Sequence, residues 1–125
     1  MKAPPKITEA EWAVMKVLWG ENPLTGNAVA ERLEATQDWK PKTVKTLLTR
    51  LVDKQVLAFH KRGREYHYYP LIKEQACVKD ASRTFLRRVF DGAVKPMLAT
   101  ILESERLSDK EIQELKDLLE EKGRD

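Results

Sequence analysis

Between Pro41 and Asp53 the apolar residues Val44, Leu47, Leu48 and Leu51 recur at i, i+3, i+4 and i+7, so a helix through this segment has one stripe to bury. At about 100° per residue the opposite side collects Lys42, Lys45, Thr46 and Thr49, flanked by Thr43 and Arg50, with Asp53 as the only acid. Pro41 suits the first helical position, and Trp39 and Val44 stand at hydrophobic-staple spacing. A chain with this segment must supply a core for one side of the helix and leave a cationic, hydroxyl-bearing side in water.

From Val56 the periodicity shortens. Val56, Leu57, Ala58 and Phe59 run into His60-Lys61-Arg62-Gly63-Arg64, followed by Tyr66, His67, Tyr68, Tyr69 and Pro70. Two β-rich runs around a glycine-bearing turn predict a hairpin tipped by Lys61, Arg62, Gly63 and Arg64, with Pro70 at its outer end.

Two helices are expected ahead of this pair. Thr8-Glu9-Ala10-Glu11 is a capping box, with Ile7 placed to staple onto Trp12; Trp12, Met15, Leu18 and Trp19 follow at helical spacing as expected core, and Gly20 closes the segment. After Asn22-Pro23-Leu24, a cap at Thr25 precedes Ala28, Val29 and Leu33 in a short second helix. Helix, short helix, helix and basic-tipped hairpin make a winged helix-turn-helix, with the third helix as reader and the hairpin as wing.

The remainder reads as helical. Cys77, Ala81, Phe85 and Val89 mark a stripe from about Lys73 to Phe90, stopped by Asp91-Gly92; Pro96 is placed to open the next helix, with Met97, Leu98, Ile101 and Leu102 as its apolar set. Ser108-Asp109-Lys110-Glu111 is a second capping box, continued by Leu115, Leu118 and Leu119. Helices this short cannot bury so many large apolar residues alone. A second copy of the chain is the expected partner, the alternative being that they fold back on the winged domain.

A chain of 125 residues holds one domain, or a small domain with a helical appendage. Its net charge of +3 conceals a strong asymmetry. From Lys40 to Arg64 eight Lys or Arg face one acid, a local +7, whereas from Glu103 to Asp125 nine acids face five bases, a local −4. Such a division is the footprint of an anionic partner on one side.

Catalysis is not expected. The only histidines, His60 and His67, read as opposite ends of the wing; the single cysteine, Cys77, lies on an apolar stripe; and no phosphate-loop, nucleophile-elbow or zinc-protease motif occurs. No cofactor or structural metal is implied. No apolar run reaches the roughly 18 residues of a membrane span, and the start does not lead into a signal-peptide core, so a cytosolic location without membrane attachment is expected.

Duplex DNA fits the basic side better than RNA. Lys42, Lys45 and Arg50 have the chemistry to neutralise phosphates and reach base edges, and Thr43, Thr46 and Thr49 offer hydroxyls and thymine-facing methyls. Lys61, Arg62 and Arg64 would lie along the flanking backbone or in the minor groove. A-form RNA closes its major groove to a helix, and Tyr66, Tyr68 and Tyr69 read as hairpin packing rather than base stackers.

The run Trp39-Lys40-Pro41-Lys42-Thr43-Val44-Lys45-Thr46-Leu47-Leu48-Thr49-Arg50-Leu51 resembles the penicillinase-repressor family, the BlaI/MecI/CopY group of winged-helix regulators. Thr8 to Trp12 with Met15 and Trp19, Tyr68 to Leu71, and Leu107 to Ile112 with Leu115 extend the likeness nearly end to end. The resemblance implies a homodimeric repressor on a palindromic operator, often of β-lactamase or related resistance genes, with base and phosphate contacts at Lys42, Thr43, Lys45, Thr46 and Arg50. The family's usual Ser or Thr before the proline is Lys40 here, so a capping acceptor worth about 1 kcal/mol is missing. Antibiotic-responsive members are inactivated when a regulatory protease cuts an Asn-Phe bond; the register set by Leu107-Ser108 puts Thr100-Ile101 at that place. Copper-responsive members carry cysteine pairs near the C-terminus, and this chain has no cysteine after Cys77.

The expected fold is mainly α with a small β-hairpin: a winged helix-turn-helix over residues 1–72 and a helical dimerisation domain over 73–125. The dimer contact is expected at Phe85, Val89, Leu98, Ile101, Leu102, Leu115 and Leu118, and Thr100-Ile101 is the candidate cleavage point. The expected function is repression by binding operator DNA. The rival is a winged-helix interaction module whose basic face takes an acidic protein.

Overall fold

The computed structural model describes residues 4–124. The order is α1 (Glu9–Gly20), β1 (Leu24–Thr25), α2 (Gly26–Leu33), α3 (Pro41–Asp53), β2 (Leu57–Arg62), β3 (Glu65–Pro70), α4 (Glu74–Phe90), α5 (Val94–Ser104) and α6 (Asp109–Gly123). Packing divides the chain into two units, Met1–Ser82 and Arg83–Asp125.

In the first unit α1 starts at the expected capping box: the Thr8 hydroxyl accepts from the Glu11 N–H at 3.2 Å, and the Thr8 N–H donates to Glu11 Oε1 at 2.8 Å. Glu11 is 1 % exposed, and the Lys54 ammonium, arriving from the far end of α3, donates to it and to the Lys6 carbonyl. Burial pushes the Glu11 carboxyl up, but the bonds from Lys54 and Thr8 outweigh it and hold the group below the ordinary carboxylate range. The same pair pins α3 to the start of α1.

Val14, Met15 and Leu18 of α1, Val29 and Leu33 of α2, and Val44, Leu47, Leu48 and Leu51 of α3 form the core, closed by Val56, Leu57 and Tyr68. Trp12 and Trp19 depart from the expected core positions. Both are only half-buried, with ring centroids 5.5 Å apart, while Val14 occupies the centre. An indole is large and carries an N–H that needs a partner; Trp19 finds one in the Ile72 carbonyl at 2.9 Å, at the edge of the core.

Helix α3 begins at Pro41 without a side-chain cap from Lys40, as the sequence suggests. It ends in a Schellman arrangement: Gln55 takes φ +63°, the Val56 N–H reaches the Leu51 carbonyl at 3.0 Å, and the Gln55 N–H reaches Val52 at 2.9 Å. The bond returns the chain directly into β2. The hairpin turns through Gly63-Arg64, where Gly63 alone has positive φ, +62°, the demand of a two-residue turn with glycine first.

The sheet has three strands in the order β1-β3-β2, not the two of a simple hairpin, because Leu24 and Thr25 pair with Tyr68 and His67. His60 and His67, expected at opposite ends of the wing, are directly opposed in the β2/β3 register. Residues at the two ends of a hairpin sequence become neighbours once the turn closes.

In the remaining chain, α4 ends at Asp91 (φ +51°) and Gly92 (φ +82°). Helix α5 opens two residues earlier than Pro96 predicts. Pro96 stands in the first turn, where its missing N–H has no intrahelical partner to lose. The Ser108/Glu111 capping box is formed at α6. Among the described residues, no side chain of α5 or α6 is buried.

Candidate nucleic-acid interface

The stripe that sinks Val44, Leu47, Leu48 and Leu51 into the core leaves Lys42, Thr43, Lys45, Thr46, Thr49 and Arg50 exposed on the other side of α3. The Thr46 hydroxyl donates to the Lys42 carbonyl at 3.1 Å and that of Thr49 to the Lys45 carbonyl at 3.0 Å. With their protons committed to the helix, both hydroxyls present acceptor lone pairs and a methyl outward. That chemistry suits an amino donor on adenine or cytosine, or a thymine methyl.

The wing stands beside this helix. A cleft of about 370 Å³ separates them, its lining including Thr25 and Asn27 at the start of α2, Lys45 and Thr49 of α3, and Arg64, Glu65 and Tyr66 of the hairpin, with Glu65 as its one acid. The sequence does not single out Thr25, Asn27 or Tyr66 for this surface, because they join it only when β1 pairs with β3. Lys61, Arg62 and Arg64 are exposed at the tip. Phe59 stacks on Tyr66 at 4.3 Å between centroids and meets Tyr68 at 5.9 Å, while His60 stacks on Tyr69 at 4.7 Å. These cross-strand contacts stiffen the wing from both faces.

Among the described residues the ion pairs are Lys16–Glu74, Arg32–Glu21, Arg32–Glu31 and Lys54–Glu11. Of the eight cations between Lys40 and Arg64, therefore, Lys54 alone is spent inside the fold. Among the described residues the other seven form no ion pair within the fold. Cys77 is 3 % exposed, and burial, with Asp80 nearby, pushes its thiol up, as befits an inert packing group.

The remaining candidate residues lie on the later helices. Phe85 and Val89 of α4, Ile101 and Leu102 of α5 and Leu118 of α6 are exposed; Leu98 and Leu115 are intermediate. Thr100 and Ile101 are inside α5, with the Thr100 hydroxyl donating to the Pro96 carbonyl at 2.8 Å. No helix among the described residues is long and apolar enough to cross a membrane.

A family model described as penicillinase repressor matches residues 7–121. The penicillinase repressor of Bacillus licheniformis is 41% identical over 121 residues, covering 97% of this chain and 94% of that protein. The methicillin resistance regulatory protein MecI of Staphylococcus aureus (strain N315) is 33% identical over 117 residues, covering 94% and 95%. Among solved structures, the monomeric form of Bacillus licheniformis BlaI in complex with the blaP half-operator is similar with a TM-score of 0.53 and 43% identity, over 61% of this chain and 93% of that one.

Proposed function

The chain belongs to the penicillinase-repressor family, and we propose that it is a homodimeric transcriptional repressor that binds a palindromic operator through α3 and the wing. The observation that carries this reading is the exposed side of α3: Lys42, Lys45 and Arg50, which form no ion pair among the described residues, interleaved with threonine acceptors and continuous with Arg64 across a groove. In this reading Lys42, Thr43, Lys45, Thr46, Thr49 and Arg50 enter the major groove, and Lys61, Arg62 and Arg64 hold the flanking backbone. The regulated genes are of the β-lactamase or related resistance type, by analogy with the relatives' names.

Residues 1–72 form the DNA-binding domain and 73–125 the dimerisation domain. Phe85, Val89, Leu98, Ile101, Leu102, Leu115 and Leu118 supply the dimer contact, which explains why a single chain leaves them uncovered. Proteolysis at Thr100-Ile101 would sever α6 from the dimer and release the operator. That bond lies within a helix, so cleavage requires local opening first.

The test is binding to duplexes selected from a random library by the full chain, compared with scrambled duplexes. Arg64→Ala is expected to weaken both alike, whereas Thr46→Ala lowers the ratio between them, by about 1 to 3 kcal/mol at the base it reads. Absence of any selected sequence would refute the reading, and capture of an acidic protein by the same face would favour the interaction-module alternative.

A further inference from the structure

We propose that Glu65 is a specificity-determining residue: its carboxylate, at the cleft between α3 and the wing, takes the N4 amino group of a cytosine and so selects one C·G pair of the bound duplex. The inference rests on the DNA-binding reading above. Glu65 is exposed and is the one acid lining that cleft, beside Lys45 and Thr49 of α3 and Arg64 and Tyr66 of the hairpin. It stands directly across from Arg62 in the β2/β3 register. With Arg62 opposite, and Lys45 and Arg64 on the same cleft, it nevertheless forms no ion pair among the described residues.

The wing fixes the backbone that carries this carboxylate. Glu65 opens β3 immediately after the Gly63-Arg64 turn. The next residue, Tyr66, stacks on Phe59 at 4.3 Å, and the Lys61 ammonium lies 6.0 Å from its ring centre. His67 then pairs with Thr25 of β1 on one side and with His60 of β2 on the other. A charge whose position is set this way acts on one base of a docked duplex rather than along its whole length.

An ionised carboxylate only accepts hydrogen bonds. Phosphate oxygens repel it, as do N7 and O6 of guanine and O4 of thymine, so an acid on this surface needs an amino group. The major groove offers two, N6 of adenine and N4 of cytosine. Adenine carries the N7 acceptor beside N6, which opposes a carboxylate, whereas the cytosine edge presents its donor alone. Lys45 and Thr49 share the cleft with Glu65 and belong to the side of α3 that enters the major groove in the reading above. Lys45 has the complementary chemistry for O6 and N7 of guanine, so a cation and a carboxylate on one cleft match the two edges of a C·G pair.

The experiment uses the full chain and duplexes selected by the parent from a random library, with each position of the selected site replaced in turn by the other three base pairs. The parent is expected to show one C·G pair whose replacement by T·A lowers affinity by about tenfold. Glu65→Ala should cut that discrimination to about twofold while leaving the preferences at other positions as they are. Glu65→Gln should move the preference at that position toward adenine, whose N6 and N7 an amide takes together. Inosine in place of the paired guanine removes only the minor-groove amino group and should leave the parent's discrimination intact; its loss there overturns the inference. Base preferences unchanged in both Glu65 variants overturn it as well, even with a uniform gain in affinity, because the carboxylate would then only repel phosphate. A parent that selects no sequence at all overturns the DNA-binding reading and this inference with it.

Discussion

Leu48 of α3 and Leu118 of α6 both lie on the apolar stripes of amphipathic helices, yet Leu48 is 0 % exposed and Leu118 is 61 % exposed. The winged domain closes its core from within one chain, with three helices and a three-stranded sheet converging on Leu48 and its neighbours. Helices α5 and α6 bury no side chain among the described residues, and their leucines and isoleucines stay in contact with solvent. The difference teaches that the two halves answer different requirements. The first half closes its core by itself and holds the cationic side of α3 in shape, whereas the second presents an apolar face that a single copy leaves exposed, the face that the proposed dimer would cover.

The largest expected effect separates the two halves by their core residues. Leu48→Ala should destabilise the winged domain by about 2 to 5 kcal/mol, through lost transfer energy and a residual cavity. Leu118→Ala should leave that unfolding transition nearly unchanged and weaken self-association instead. Denaturant unfolding at two protein concentrations, with sedimentation of both variants, checks the contrast. A concentration-independent loss of winged-domain stability in Leu118→Ala would break the comparison.

A middle-sized effect is expected at the one cation that the fold consumes. Lys54→Met leaves the buried Glu11 carboxylate without its ammonium and should cost about 1 to 3 kcal/mol, with little change in salt-dependent DNA binding. In the parent, Glu11 titrates below its ordinary value, so its stabilising contribution is complete above about pH 4.5 and is lost as pH falls through the lower folded value. Lys54→Met should reduce that acid dependence, because burial then acts on the carboxyl without the opposing ammonium. Thermal melts between pH 3 and pH 7 would record both changes.

The smallest effect belongs to the junction between α3 and the wing. Gln55 holds φ +63° at a position glycine occupies without strain, so Gln55→Gly should raise stability by about 1 kcal/mol and sharpen the winged-domain transition. An unaltered or lowered melting temperature would count against the Schellman closure as the element that aims β2.

What could be read from the sequence is what local chemistry decides. The Thr8 and Ser108 capping boxes, Pro41 at the start of α3, the stripe from Val44 to Leu51 and the Gly63 turn each depend on residues within a few positions of one another, and each forms as expected. Features set by distant residues were hidden. Strand β1 is two residues long and exists only because β3 pairs with it; Gln55 carries no glycine signal; the indole N–H of Trp19 finds its acceptor in the Ile72 carbonyl, 53 positions away. Lys54 counts as a surface cation until Glu11 is seen beside it. The exposed cationic side of α3 was apparent from periodicity alone, whereas the contribution of Thr25, Asn27 and Tyr66 to the groove required the folded sheet.

The central claim is that the cationic, threonine-bearing side of α3 and the wing tip form one surface for duplex DNA. Its most direct measurement is the affinity of the full chain for its selected duplex across a series of salt concentrations. Each phosphate neutralised contributes about −0.9 to the slope of log K against log salt. With Lys42, Lys45, Arg50, Lys61, Arg62 and Arg64 free of ion pairs among the described residues, a steep negative slope is expected, made shallower by about one unit in Arg64→Ala. A flat response to salt in the parent, or a slope unchanged by removing these cations, would contradict the claim.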